Sequence, residues 1–159
     1  MNKNINTRYW MEIVNQVAKA STCRVEVGCI LVQNKIIIGM GYVGSIAGDI
    51  HCNDEGVDCL ELDNYGIHGS EDRRVSCYRT VHAEMNAVLK CYAMLYGRDI
   101  ECYSTYSPCL NCLKALLSIG VRRFIFQKHY RDLYRDHYLE NLHINIQKTI
   151  VWQLYKKEE

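Results

Sequence analysis

An α/β fold with helices packed against a mixed sheet is what this sequence predicts. Three observations carry it: segments with apolar residues at helical spacing, short runs rich in β-branched residues, and the alternation of the two along the chain. At 159 residues the chain has the length of one domain, and a single domain over 1–159 is expected.

From Tyr9 to Ala20, Trp10, Ile13, Val14 and Val17 fall at i, i+3, i+4 and i+7, one face of an amphipathic helix. Val25 to Val32 and Ile36 to Tyr42 read as strands, and Gln33-Asn34-Lys35 between them reads as a hairpin turn. Periodicity then disappears over about 44–76, a stretch too long for an ordinary connection. It resumes with Val81, Met85, Val88 and Tyr92 on one helical face ending near Gly97, followed by a strand from Ile100 to Thr105. Pro108 suits a helix start, because its missing N–H costs nothing there; Leu110, Leu113 and Leu117 continue that helix to a stop at Gly120. Arg122 to Gln127 reads as a strand, Leu133 to Asn141 as a helix and His143 to Ile146 as a short last strand.

Two segments carry chemistry. His82-Ala83-Glu84 and Pro108-Cys109-Leu110-Asn111-Cys112 supply one imidazole, two thiols and a carboxylate. Structural zinc sites take four protein ligands, whereas catalytic ones take three and leave a position for water. With His82, Cys109 and Cys112 as ligands, a zinc ion lowers the pKa of bound water from ~15.7 toward ~7. Glu84, not needed as a ligand, is placed to move protons as a general acid and base. The competing readings are a structural half-site or redox pair for the Cys-x-x-Cys and a helix N-terminal carboxylate for Glu84. Ligands at the starts of two neighbouring helices would also find their thiolates favoured by the positive helix ends.

Nineteen basic residues against eighteen acidic give a net charge of +1, so no global field draws in a polyanion and a nucleic-acid partner is not expected. The segment Met1-Asn2-Lys3-Asn4-Ile5-Asn6 lacks the apolar core of a signal peptide, and no run approaches a membrane span. A soluble, cytoplasmic protein (host cytoplasm for a viral one) with no membrane partner is expected. Nine cysteines in such a chain argue for metal binding over disulfides. Cys29, Cys91 and Cys102 lie in apolar stretches and read as buried thiols. The irregular 44–76 insert has too little apolar content to offset the entropy of ordering it, and a second zinc would supply that energy. The candidates are Cys23, His51, Cys52, Cys59, His68 and Cys77, of which Cys23, Cys52, Cys59 and Cys77 are the first choice and His51 the first substitute; a metal-free loop with spare thiols is the alternative.

The pairing of H-x-E with P-C-x-x-C resembles the zinc nucleobase deaminases. Within that superfamily, His82-Ala83-Glu84-Met85-Asn86-Ala87 resembles the HAExNA form of the deoxycytidylate (dCMP) deaminases. Val27-Gly28-Cys29-Ile30-Leu31-Val32 resembles their first core strand, Gly41-Tyr42-Val43-Gly44 their GYNG turn, and Ser107-Pro108-Cys109 through Cys112 their second zinc segment. The similarity runs from Arg8 to Ile146. It implies a cytidine deaminase-like three-layer α/β/α fold with a mixed central sheet, and zinc-dependent hydrolysis of dCMP to dUMP and ammonia, supplying dUMP for thymidylate synthesis. It also implies dCTP and dTTP as allosteric effectors at a site that includes Gly41, Tyr42 and Gly44, magnesium accompanying such a nucleotide, a homo-hexamer, and in some relatives a structural zinc in the insert. Substrate contacts are expected from Ala83, Thr105, Tyr106, Ser107, Tyr130 and Arg131. Arg79, Lys128, Arg131 and Arg135 are the cations available for a phosphate, with a solvated surface charge as the other reading of each.

The chain departs from the family pattern at Val43, where the turn has asparagine, and an apolar side chain cannot replace the hydrogen bonds of an amide. Two other functions remain open at this point. One is deamination of another cytosine nucleotide or of a polynucleotide, tRNA or single-stranded DNA, which calls for a basic track and stacking aromatics. The other is a zinc module without catalysis, which has no use for Glu84.

Overall fold

A computed structural model describes residues 3–63, 75–91, 99–130 and 132–157. Its centre is a five-stranded sheet in the order β2-β1-β7-β8-β9, built from β1 (Gly28–Gln33), β2 (Ile36–Tyr42), β7 (Ile100–Tyr106), β8 (Val121–Lys128) and β9 (Val151–Leu154). β1 runs antiparallel to β2 and β7, whereas β7, β8 and β9 run parallel. The sheet is therefore mixed, as expected.

Side chains alternate across a strand, so each strand feeds two cores. Ile30, Val32, Tyr103 and Ile125 face Trp10, Met11 and Val14 of α1 (Lys3–Ala18). Cys29, Leu31, Cys102 and Phe124 face the opposite way, against Ala83 and Ala87 of α2 (Ala83–Leu89) and Leu113 and Leu116 of α3 (Leu110–Ser118). One helix on one face and two on the other give the three layers. The buried thiols of Cys29 and Cys102 touch across β1 and β7 at 3.6 Å. Among the described residues no helix is long and apolar enough to cross a membrane.

The α2 helix approaches the sheet closely enough that Gly39 and Gly41 admit no side chain. A Cβ at Gly41 would lie against the Ala83 carbonyl oxygen and 2.5 Å from the Ala87 nitrogen. Backbone cannot yield as a flexible side chain can, so Gly41→Ala is expected to cost about 3 kcal/mol, at the upper end of overpacking penalties. Urea denaturation of the purified variant measures it. An unchanged midpoint would mean that the helix can ride away from the strand.

Several boundaries differ from the sequence reading. The first helix begins at Lys3 and stops at Ala18, where Lys19 and Ala20 close a turn on Gln16 and Val17. β1 starts at Gly28 and not Val25: the Ser21 hydroxyl accepts the Val27 amide at 3.1 Å and closes residues 21–27 into a loop. The expected strand from His143 to Ile146 is instead a short helix, α5 (Ile144–Gln147), because the His143 imidazole accepts the Asn145 amide as an N-cap. The final strand is β9, in the apolar run Val151-Trp152, which the sequence reading passed over.

Within the insert, β3 (Gly44–Ser45) pairs with β6 (Thr80–Val81), and β4 (Glu61–Asp63) pairs with β5 (Val75–Cys77). These pairs tie its two ends together. His68, Tyr92, Gly97 and Arg131 lie outside the described residues, and with them the expected end of the 81–97 helix.

Candidate active site and a four-cysteine cluster

His82 is the residue before α2, Cys109 the residue before α3, and Cys112 lies in the first turn of α3. The two helix starts bring them together: His82 Nδ1 is 3.5 Å from the sulfur of Cys109 and 3.5 Å from that of Cys112. All three ligand atoms lie within 4.8 Å of one another. A tetrahedral zinc with Zn–S of about 2.3 Å and Zn–N of about 2.0 Å has S···N edges of roughly 3.5 Å. The donor set and its spacing fit that ion.

The electrostatics suit the same purpose. A hydrogen bond from the Cys112 thiol outweighs burial and, with His82, lowers Cys109 to about 4. The bond to Cys109 in turn raises His82 to about 9. Cys109 is thus held as a thiolate, the form that binds metal. Glu84, in the first turn of α2, is only 4 % exposed. Burial pushes its carboxyl above the ordinary carboxylate value, against the pull of the neighbouring His82 charge. Asn86 ties this helix to the sheet, donating to the Tyr42 carbonyl at 2.9 Å.

Glu84, His82 and Cys109 open onto a cavity of about 440 Å³, the size of a small-ligand site. Of the expected substrate residues, Ala83, Tyr106, Ser107 and Tyr130 line it. Thr105 is turned to another use, its hydroxyl accepting the Gly28 amide at 3.2 Å. The sequence reading missed Arg24, Val25, Val27 and Thr80, which with Val43, Cys23 and Cys77 complete the wall. Val25 and Val27 were read as strand residues, and only the loop closed by Ser21 turns them to the cavity.

Arg135 is not the solvated charge it was read as. It is 3 % exposed and donates to the Ser107 hydroxyl at 3.0 Å, the Pro108 carbonyl at 3.1 Å and the Tyr130 carbonyl at 2.7 Å. Asp132, fully buried, accepts the Leu110 amide at 2.8 Å and the Arg135 amide at 3.0 Å. It therefore caps both α3 and α4 (Leu133–Glu140). Together the two residues fix the turn that carries Cys109.

The residues expected at an effector site each pack against a different neighbour. Gly41 lies against α2, Tyr42 packs by the α1 core with Lys90 Nζ 5.5 Å from its ring centre, and Gly44 lies beside Thr22. Val43 is buried and bonded through its backbone to Val27 and Thr22.

A second cluster forms where the insert meets the loop after α1. The sulfurs of Cys23 and Cys59 are 3.8 Å apart, those of Cys52 and Cys77 are 3.5 Å apart, and all four lie within 4.8 Å of one another. A tetrahedral zinc with four thiolates has S···S edges of roughly 3.8 Å, and these residues fit it. Burial works to raise the Cys77 thiol, yet the amides of Arg79 and Leu60 and the Cys52 thiol bring it below its ordinary value. The Val25 amide likewise bonds Cys23, although burial leaves that thiol raised. His51 is not in the group, and its amide bonds Asp54 at 2.8 Å.

Residues 4–128 match the model of the cytidine and deoxycytidylate deaminase zinc-binding region. ComE operon protein 2 of Bacillus subtilis (strain 168) is 38 % identical over 126 residues, which is 78 % of this chain and 60 % of that protein. The chain thus spans less than two thirds of that relative. The deoxycytidylate deaminase of Enterobacteria phage T4 is 32 % identical over 146 residues, 74 % of each chain. Among solved structures, the dCMP deaminase of cyanophage S-TIM5 superposes with a TM-score of 0.65 over 97 % of this chain and 99 % of that one, at 24 % identity. The sheet order and three layers are those of the cytidine deaminase-like fold. With two helix starts converging on a zinc ligand set, and with the family model and these relatives matching most of its length, the chain belongs to the cytidine and deoxycytidylate deaminase family, on its deoxycytidylate side.

Proposed function

We propose that this chain hydrolyses dCMP to dUMP and ammonia. The observation that carries the reading is Glu84, a buried carboxylate opening onto one cavity with His82 and Cys109 of the metal set. Zinc held by His82, Cys109 and Cys112 supplies the activation that makes water nucleophilic at neutral pH. The Glu84 carboxylate takes a proton from the attacking water as its oxygen bonds to C4 of the cytosine ring. It delivers that proton to N3, making C4 tetrahedral. A second proton from the same water passes through Glu84 to the amino group, the C4–N bond breaks, and ammonia leaves while the ring regains its carbonyl. One water is consumed, and Glu84 ends as it began. Tyr106 and Tyr130 offer flat surfaces for the base, and Val25, Val27 and Val43 give the cavity apolar walls.

A second zinc in the Cys23, Cys52, Cys59 and Cys77 cluster belongs to the proposal, supported by the sulfur spacing. So does self-assembly, supported by the exposed apolar Ile36 and Met40 on the edge strand β2 and Leu89 on the neighbouring helix. Supply of dUMP for thymidylate synthesis in the cytoplasm, and control by dCTP and dTTP with magnesium, rest on the family resemblance alone.

The test is a substrate panel of dCMP, dCTP, cytidine and single-stranded oligonucleotides, followed by ultraviolet absorbance and ammonia release. Turnover is expected to be fastest on dCMP, lost after chelation and restored by zinc. Turnover confined to the oligonucleotides would replace this reading with a polynucleotide deaminase.

A further inference from the structure

Two sets of metal ligands face one cavity. Beside His82 and Cys109, its lining includes Cys23 and Cys77, two of the four cysteines whose sulfurs converge where the insert meets the loop after α1. Cys52 and Cys59, the other two, belong to the insert and stand off the cavity. The cluster therefore has one side in the insert and one side in the cavity wall.

Both cavity-side cysteines are bonded to residues of that wall. The Cys23 sulfur accepts the Val25 amide, the Cys77 carbonyl accepts the Thr80 hydroxyl at 3.4 Å, and Val25 and Thr80 line the cavity as well. The wall thus contains two strips, residues 23–27 and 77–82, the second running straight into His82. At one end the strips are joined through the backbone: the Val43 carbonyl accepts the Thr22 amide at 3.2 Å, and the next residue, Gly44, pairs with Val81. At the other end they meet sulfur to sulfur, Cys23 and Cys77 lying with Cys52 and Cys59 within 4.8 Å of one another. Thiols are weak hydrogen-bonding groups, so bare sulfur contact does little to hold that end. Four thiolates on one zinc fix all four positions at once.

We infer that the four-cysteine cluster positions one wall of the substrate cavity, so that metal bound there sets nucleotide affinity as well as holding the insert. Cys23 and Cys77 are the positioning residues. The groups proposed for the chemistry stand apart from this wall, Glu84 in the first turn of α2 and Cys109 just before α3, on helices packed against the sheet. The inference rests on the deaminase reading for the identity of the nucleotide, and on zinc in the four-sulfur cluster for the metal.

The experiment compares wild-type holoprotein with Cys59→Ser and Cys59→His, both changed at a position off the cavity. Zinc content is measured beside dUMP affinity by calorimetry and kcat and KM for dCMP. If the wall is in place about a tenth of the time without its metal, apparent affinity falls about tenfold. Cys59→Ser, at one zinc per chain, should therefore bind dUMP that much more weakly and show a matching rise in KM for dCMP, with kcat nearly unchanged. Cys59→His, which offers zinc an imidazole instead, should keep both ions and regain the affinity. Unchanged dUMP affinity in Cys59→Ser overturns the inference, and so does a loss that Cys59→His fails to recover while holding both ions. A second measurement needs neither a variant nor a nucleotide. In wild type, amide exchange that passes through release of the cluster zinc slows as free zinc rises. The Val25 and Thr80 amides should slow in step with that of Tyr78, which bonds the Leu60 carbonyl in the insert at 2.7 Å. Val25 and Thr80 rates that ignore zinc overturn the inference, and this arm decides it even where Cys59→Ser does not fold. It decides it equally if wild type turns over no dCMP, a result that sinks the proposed activity and not the role of the cluster.

Discussion

Glu84→Gln is expected to lower turnover of dCMP by about 10⁴-fold while the protein keeps its fold and its metal. The size follows from the number of tasks: one carboxylate takes up two protons and delivers both, and general acid-base catalysis reaches that magnitude when its group is removed. Glutamine has nearly the same shape, so the buried site between α2 and the sheet stays filled. It cannot carry a proton at any working pH. Steady-state kinetics give the loss, and elemental analysis together with thermal unfolding establish that His82, Cys109 and Cys112 still hold zinc in a folded chain. A variant that keeps a tenth of the activity would remove Glu84 from the mechanism and leave the cavity without its proton carrier.

The other large effect is expected from Cys59→Ser, which should take the zinc content from two ions per chain to one. Structural zinc in small peptides contributes about 10–16 kcal/mol near neutral pH, as much as the whole stability of many domains. The described part of the insert has only short strand pairs and turns to replace that energy. The segment from Gly44 to Cys77 should therefore open before the five-stranded sheet does, seen as rapid amide exchange and proteolytic cleavage confined to it. Cysteine to serine keeps size and hydrogen bonding but gives a poor zinc ligand. A zinc content that stays at its original value would show that the four sulfurs meet without holding a metal.

Much of this architecture was legible from residue spacing alone. Val14 and Val17 at helical spacing, the β-branched run through Ile30 to Val32, and the alternation around Ile100 and Leu113 each announced an element that the structure contains. Spacing works there because each element buries one stripe or one face. The convergence of His82, Cys109 and Cys112 was legible for a different reason: thiols and imidazole placed at two helix starts have few other uses. The parts that escaped depend on contacts between distant residues. Four apolar-alternating residues such as His143 to Ile146 fit strand and helix equally, and a local imidazole cap decided the matter. Arg135 reads as surface by composition, and only the turn it supports draws it inside. Val25 leaves the strand pattern because a serine six residues from Val27 closes a loop.

One carboxylate, Asp132, holds the first turns of two helices at once. That joins the starts of α3 and α4 through a single side chain: taking away the carboxylate would leave the Leu110 and Arg135 amides without it together, only two residues from Cys112.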